Sequence, residues 1–467
     1  MSPADGPAAG GRPLSRVRDG RPAAPVAAAH LGLGSFFRAH QAVFTDRAPD
    51  AEQWGIAAFT GRTRTLADQM AAQDGLYTLV ERGPAGAECS VVSSVSRVGA
   101  GGDVADWLTV VGRSTTRLVT LTVTEAGYRR TDDGGLCLDD PEVRADLAAL
   151  RAGDLVSTRT VPGRLTAALR ARYDGAGAPL AVVPCDNLLQ NGKAVRRVVS
   201  ELAEEVDEGL ADWVRASVSF VDSEVDRITP RTTEADRLLV ARATGVDDAC
   251  PVVTEPFTEW VISGDFPSGR PGWEHAGAQL VDDVTPFEQR KLWLLNGAHS
   301  MLAYAGSIRG HVTVAAAVTD EVCLGWLQEW WDEAGPHVDL PAESVEEYRA
   351  ALLARFANED IQHRLEQIAA DGSQKLPVRV LPVLAAERTA GRLPTASART
   401  LGAWVAHLRG AGALVTDPRA DELAALAAGP LPEAVRRVLG LLDPGLPDDP
   451  DLVTTVTNRA QELSNPW

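Results

Sequence analysis

Val26-Ala27-Ala28-Ala29-His30-Leu31-Gly32-Leu33-Gly34-Ser35-Phe36-Phe37-Arg38-Ala39-His40-Gln41-Ala42 is the stretch that decides the fold of this chain. Its first six residues are almost wholly apolar, as a short buried strand requires, and the residues after Gly34 run on helically. A strand, a Gly-x-Gly turn and a helix N-terminus make the arrangement that cradles a dinucleotide pyrophosphate. The glycines let the backbone approach closely, and the helix dipole favours negative charge. A plain turn would use the same residues, and the third glycine of the usual fingerprint is absent, with Phe37 in its place. The surroundings must arbitrate.

Upstream, residues 1–25 are mostly Ala, Gly, Pro and Arg without an apolar core, which predicts a disordered tail rather than a signal peptide. Downstream, Trp54–Thr60 predicts a second strand. A NAD-binding fold often ends this strand in an acid that holds the ribose 2′-hydroxyl. Here Gly61-Arg62-Thr63-Arg64 follows, with arginines instead. A guanidinium pairs a 2′-phosphate, so Arg62 and Arg64 are candidates for accepting NADP beside NAD; two solvated arginines are the plain alternative. Arg117–Thr124 is β-branched and predicts a strand running into Glu125-Ala126-Gly127-Tyr128. Leu180–Pro184 predicts another, breaking into Cys185-Asp186-Asn187 and Gln190-Asn191-Gly192. Ligand-binding residues gather at such strand ends, so Thr124 and Glu125 are expected near the nicotinamide or the substrate.

Further along, Phe287-Glu288-Gln289-Arg290-Lys291-Leu292-Trp293-Leu294-Leu295-Asn296-Gly297-Ala298-His299-Ser300 predicts a helix. At about 100° per residue, Glu288, Lys291, Asn296 and His299 share an arc of roughly 140°. Leu292 and Leu295 lie on that arc too, so the face is expected to be half-buried. Apolar surroundings disfavour an ammonium, which is what a lysine general base requires. An ordinary polar helix face is the competing reading.

Lys291-x4-Asn296-x2-His299-Ser300 resembles the signature helix of the polyol-specific long-chain dehydrogenases, the mannitol 2-dehydrogenase and fructuronate reductase family. Other blocks agree with it in order. Gly32, Gly34, Arg38, Ala39, His40, Gln41 and Ala42 match that family's glycine loop, although Phe37 stands where a histidine is usual. Gln73–Val80, Thr124-Glu125-x-Gly127-Tyr128, Cys185-Asp186-Asn187-x3-Asn191-Gly192 and Val225-Asp226-Arg227-Ile228-Thr229-Pro230-Arg231-Thr232 also match. So does Gln367-Ile368-Ala369-Ala370-Asp371-Gly372-Ser373-Gln374-Lys375-Leu376-Pro377, read as a polar loop between helices.

The resemblance implies an α/β, Rossmann-type dinucleotide-binding domain over residues 26–245 and a mainly helical catalytic domain over 246–467, with the site in the cleft between them. It implies reversible oxidation of a secondary alcohol without metal. Lys291 would be the base, Asn187 and Asn296 would polarise the substrate oxygen, His299 would orient the substrate, and Glu288 would relay protons. Gly32, Gly34, Phe36, Arg38, Thr124, Glu125 and Asp226 would surround the cofactor, NAD first and NADP second. Lys375 would grip a substrate hydroxyl or carboxylate. Mannitol/fructose is the first expectation and mannonate/fructuronate the alternative. A dinucleotide sensor would keep Gly32 and Gly34 without needing Lys291, Asn187 and Asn296.

The bulk numbers fit this class. The 467 residues suffice for two or three cores, and 45% hydrophobic with 23% charged residues is ordinary for a globular chain. A net charge of −19 argues against nucleic acid and anionic membranes as partners; small-molecule substrates are expected, and a monomer or weak homo-oligomer. Five scattered cysteines without C-x-x-C, and eight histidines without H-x-x-x-H, offer neither a disulfide framework nor a zinc site; a cytoplasmic protein is expected. Gly-x-Ser-x-Gly is absent, which sets aside an α/β-hydrolase. Ser344-Val345-Glu346-Glu347 predicts a capping box opening a helix through Phe356.

Overall fold

The structure, a computed structural model, describes residues 11–61, 63–83 and 86–464. It divides between Thr285 and Pro286 into two compact units.

The first unit is built on six parallel strands: β1 (Val26–Leu31), β2 (Gly55–Phe59), β3 (Val95–Gly99), β4 (Leu118–Leu121), β5 (Leu180–Pro184) and β6 (Val218–Phe220). They lie in the order β3-β2-β1-β4-β5-β6, the doubly wound dinucleotide-binding order. Every residue of β2 and β5 is buried, which is why these strands read as unbroken apolar runs. Alternation along the strands assigns the two faces. Ala29, Leu31, Phe59, Val119, Leu121 and Val182 pack with the helices Val104–Gly112, Val161–Asp174 and Asn191–Val206. Ala28, Ala58, Leu118, Ala181 and Val183 share the other core with Phe37, Phe44, Trp260 and Trp273. The strand order reverses at β1 and β4, and ligands bind at that switch point in open α/β sheets.

The boundary expected near residue 245 lies at Thr285 instead. Val252–Thr254 pairs in parallel with Leu79–Glu81, and Glu259–Ser263 pairs antiparallel with Asp222–Asp226, so residues 246–285 complete the first unit. The expected N-terminal tail is likewise tied down where it is described. Arg12–Pro13 pairs with Val246–Asp247, and the Arg16 guanidinium donates to Asp74 O at 2.8 Å and Ser93 O at 3.0 Å. Residues 1–10 lie outside the described residues.

The second unit is helical. Thr395–Leu408 is buried from Ala396 through Leu408, as only a central helix can be. Glu321–Ala334, Ala342–Phe356, Leu431–Leu442 and Pro450–Ser464 belong to the same unit. The helix ending at Phe356 starts at Ala342 with Pro341 as its cap, so Ser344 falls inside it and no capping box forms. The stretch expected as a loop over 367–377 is mostly helix: Leu365–Ala369, a left-handed Asp371, then Gly372–Arg379 with Pro377 inside it. No helix among the described residues is long and apolar enough to cross a membrane.

Candidate active site

At the end of β1 the chain turns on Gly32, whose φ of 112° suits glycine alone. A Cβ there would stand 2.1 Å from the Thr122 carbonyl oxygen. The turn is pinned from both sides. The Gly32 and Leu33 N–H groups donate to Phe59 O at 2.9 and 2.8 Å, and the Thr122 hydroxyl donates to Gly32 O at 2.7 Å. Gly34, in ordinary extended backbone, caps the five-residue helix Ser35–Ala39. A backbone cradle of this kind, open where side chains would block it, fits a dinucleotide.

His30 braces the turn from below. It is fully buried and stacks on Phe37 with ring centroids 3.6 Å apart, which gives the residue replacing the third glycine a packing role. Because the Thr122 hydroxyl hydrogen goes to Gly32, its oxygen accepts from His30 Nε2 at 3.0 Å, and His30 Nδ1 then accepts from Thr120 at 2.8 Å. Burial pushes the imidazole down from 6.5 to about 3, so it is neutral in the fold and ionises only on unfolding. Its stabilisation is complete above pH 6.5 and is lost as pH falls from there towards 3. Burial shifts His299 and His363 the same way. The melting temperature is expected to fall steadily below pH 6.5, with each such histidine adding about 1.4 kcal/mol per pH unit. His30→Asn should flatten the slope; equal melting temperatures at pH 5 and pH 7.5 would contradict this.

Beyond the turn, at the C-terminal ends of β4 and β5, opens a cavity of about 710 Å³ lined by Phe36, Thr122, Thr124, Glu125, Asp186 and Asn187 among others. Four of the expected residues, Phe36, Thr124, Glu125 and Asn187, thus share one wall system, and the last three expose their side chains to it. The loop bearing Asn187 is held by its neighbours in the motif. Asn191 donates to Ser223 O at 2.8 Å and Asp186 O at 3.3 Å, and accepts from Ser223 N at 2.9 Å. A Cβ on Gly192 would come within 2.5 Å of the Val221 backbone.

The remaining motif residues divide between buried and exposed positions. Arg38 is buried, stacked over Tyr77, and donates to Gly34 O and Cys250 O, so its guanidinium is a structural strut rather than a cofactor contact. Asp226 lies buried in a strand, in register with Glu259. Arg227 is buried and donates to Ala39 O, Glu255 O and Glu81. Arg64 is exposed and pairs with Asp68 at 3.4 Å; Arg62 lies outside the described residues. Sequence reasoning missed Thr122, Asp186 and His30. A histidine inside an apolar strand was the available signal for the last.

In the second unit the signature helix is not a regular α-helix. It runs α over Thr285–Arg290, π over Lys291–Gly297, α over Ala298–Met301 and π again over Leu302–Gly306. On an α-helix Lys291 and Asn296 would stand about 140° apart; hydrogen bonding from i to i+5 brings residues five apart towards one face. The loosened turn has specific supports. The indole N–H groups of Trp330 and Trp331 donate to Trp293 O and Leu294 O at 2.8 and 2.9 Å. Gly297 lets Trp330 in, since a Cβ there would sit 2.4 Å from the indole. Glu288 and His299 are buried, and Lys291 and Asn296 half-buried. The His299 ring lies against Phe356 and His363, and its Nε2 has no hydrogen-bond partner among the described residues. Burial, then His363, Arg355 and Arg379, hold it well below 6.5, so it is a neutral imidazole.

Lys375 is differently employed. Its ammonium donates to Ala370 O at 2.6 Å and Ile368 O at 3.3 Å, with Asp371 3.9 Å away, so two of its three donors close the end of the preceding helix. All five cysteines are free thiols. His311, Asp320 and Cys323 converge, and Arg309 donates to Asp320 there at 2.7 Å.

A family model described as the mannitol dehydrogenase Rossmann domain matches residues 26–275, and one for the mannitol dehydrogenase C-terminal domain matches residues 283–464. The chain belongs to the mannitol dehydrogenase family. It is an oxidoreductase with that family's Rossmann and helical domains. Among mannitol dehydrogenase relatives, a mannitol 2-dehydrogenase of Pyrenophora tritici-repentis is 35% identical, over 86% of this chain and 74% of its own length. The D-mannonate oxidoreductase of Escherichia coli (strain K12) is 33% identical, over 93% of this chain and 92% of its own. The solved Pseudomonas fluorescens mannitol 2-dehydrogenase, a ternary complex with NAD and D-mannitol, superposes with a TM-score of 0.79 at 33% identity, covering 95% of this chain and 92% of that one.

Proposed function

We propose that the protein interconverts a long-chain polyol and its ketose, of the mannitol/fructose type, with a nicotinamide dinucleotide and a lysine base. The observation that carries this reading is the π-wound turn, which draws Lys291 and Asn296 towards one face beside the buried His299. When bound, the dinucleotide supplies the hydride acceptor. Lys291 takes the hydroxyl proton, and Glu288, one turn earlier, passes it on. Asn187 and Asn296 donate hydrogen bonds to the substrate oxygen as negative charge grows on it, so no metal ion is needed. The unpartnered His299 Nε2 orients a neighbouring hydroxyl. Thr124, Glu125, Phe36 and the Gly32 turn surround the cofactor.

NAD is the first cofactor of this reading. The loop after β2 offers no acid for a ribose hydroxyl and carries the exposed Arg64, which supports use of NADP as well. A sugar-acid substrate of the mannonate/fructuronate type is the second reading, favoured by Arg355 and Arg379 acting on His299. Reduced-cofactor consumption with fructose and with fructuronate, each against NADH and NADPH, tests both. Fructose is expected to oxidise both dinucleotides. Turnover of fructuronate alone would select the sugar-acid reading, and turnover with NADH alone would remove Arg62 and Arg64 from cofactor choice.

A further inference from the structure

Two motifs that the reaction uses separately are joined by one hydrogen bond. Tyr128 closes the short 3-10 turn Glu125–Tyr128 after β4, and its hydroxyl donates to Asp186 Oδ2 in the loop after β5. Tyr128 is fully buried, its ring packed in the core with Leu136 and Val143. Asp186 lines the cavity next to Asn187, and its other oxygen accepts from Leu188 N at 3.1 Å. The Asp186 backbone oxygen accepts from Asn191, which is clamped to Ser223. The residue preceding Asn187 is therefore fixed at three points, and the one following it is bonded back to Asp186. Nothing in the proposed chemistry calls on Tyr128 or Asp186 directly.

We propose that Tyr128 and Asp186 are positioning residues for Asn187, coupling the wall that carries Thr124 and Glu125 to the wall that presents the Asn187 amide. The inference rests on the oxidoreductase role given to Asn187 above. Protonation states agree with it. Burial, the largest cause, raises the Tyr128 hydroxyl well above 10, so it stays a donor. Burial with nearby Glu125 raises Asp186 to about 6, so it is mainly a carboxylate acceptor at neutral pH. An amide aimed at a developing charge must be held to within a fraction of an ångström, and a loop tip such as 186–190 lacks that rigidity without a strut.

A double-mutant cycle tests this, with Tyr128→Phe and Asp186→Asn each made in the native chain and in an Asn187→Ala background. Both substitutions keep the side-chain shape. Binding stoichiometry from dinucleotide fluorescence titration normalises each rate to folded enzyme. Tyr128→Phe is expected to lower kcat/KM for the carbonyl substrate about tenfold with dinucleotide affinity within about twofold of native, and to cost less than about twofold once Asn187 is gone. A purely structural strut would give the same penalty in both backgrounds, and that additivity would overturn the proposal. So would an unchanged kcat/KM in both Tyr128→Phe and Asp186→Asn. Should Tyr128→Phe fail to fold, Asp186→Asn carries the cycle alone. An Asn187→Ala enzyme as active as the native one would overturn the reading of Asn187 itself, and this inference with it; additivity overturns only the inference.

Discussion

Lys291→Ala is expected to remove turnover, with kcat falling by about 10³-fold or more while dinucleotide affinity stays within about twofold. The size follows from the role. A general base contributes factors of about 10² to 10⁴, and here no equivalent base stands by on the same turn, since Asn296 cannot take a proton and the surroundings of His299 disfavour its protonated form. The affinity should survive because Lys291 belongs to the second unit, whereas the Gly32 turn belongs to the first. Steady-state rates with fructose and a fluorescence titration with NADH would be measured on the same preparation. Rates within tenfold of native would remove Lys291 from its role. Equal loss of rate and of cofactor affinity would instead point to a disturbed fold, since Leu294 and Leu295 on the same π turn are core residues.

Gly32→Ala carries the second large effect, and Gly34→Ala is its control. At Gly32 an added methyl meets the Thr122 carbonyl at 2.1 Å in a backbone conformation that L-residues avoid. Clash and strain together should cost about 2–4 kcal/mol, enough to lower the melting temperature by several degrees and cofactor affinity by more than about tenfold. At Gly34 the nearest atom to an added Cβ is Gly32 O at 3.5 Å and φ is −139°, so the fold should tolerate alanine. Its stability should match the native protein even if the dinucleotide binds less tightly. Equal melting temperatures for Gly32→Ala and the native protein would show that the turn is not held as the structure has it.

The first unit's centre was legible because its strands are buried on both faces and so announce themselves as apolar runs, with the glycine turn at the end of the first. Its outer limit was not. Val252–Thr254 finds its partner at Leu79–Glu81, and Arg12–Pro13 at Val246–Asp247, and pairings so distant in sequence leave no local trace. Motif residues were legible as residues, but not as roles. Arg38 and Lys375 both stand in matching blocks, yet two donors of each go to backbone carbonyls that only the folded chain brings near. Asn187 does line the cavity, on a loop whose motif contains its own support, Asn191 and Gly192. The winding of the signature helix was beyond reach, because the tryptophans that relax it are 37 residues away in the chain.

That winding also changes what the spacing in the motif means. Two residues that must reach one target from a regular helix are three or four apart, whereas Lys291 and Asn296 are five apart. The stretch behaves as if one residue had been inserted into an ordinary turn and absorbed by the ladder instead of by a loop. The chain thereby gains a polar pair whose geometry depends on neighbours outside the helix: Trp330 and Trp331 hold the insertion, and Gly297 admits the larger contact. A peptide copied from residues 285–301 alone would close up into α-helical register and carry the lysine and the amide away from each other. The arrangement of the four polar residues of this helix is therefore not portable; it is a property of the helix together with the two indoles behind it.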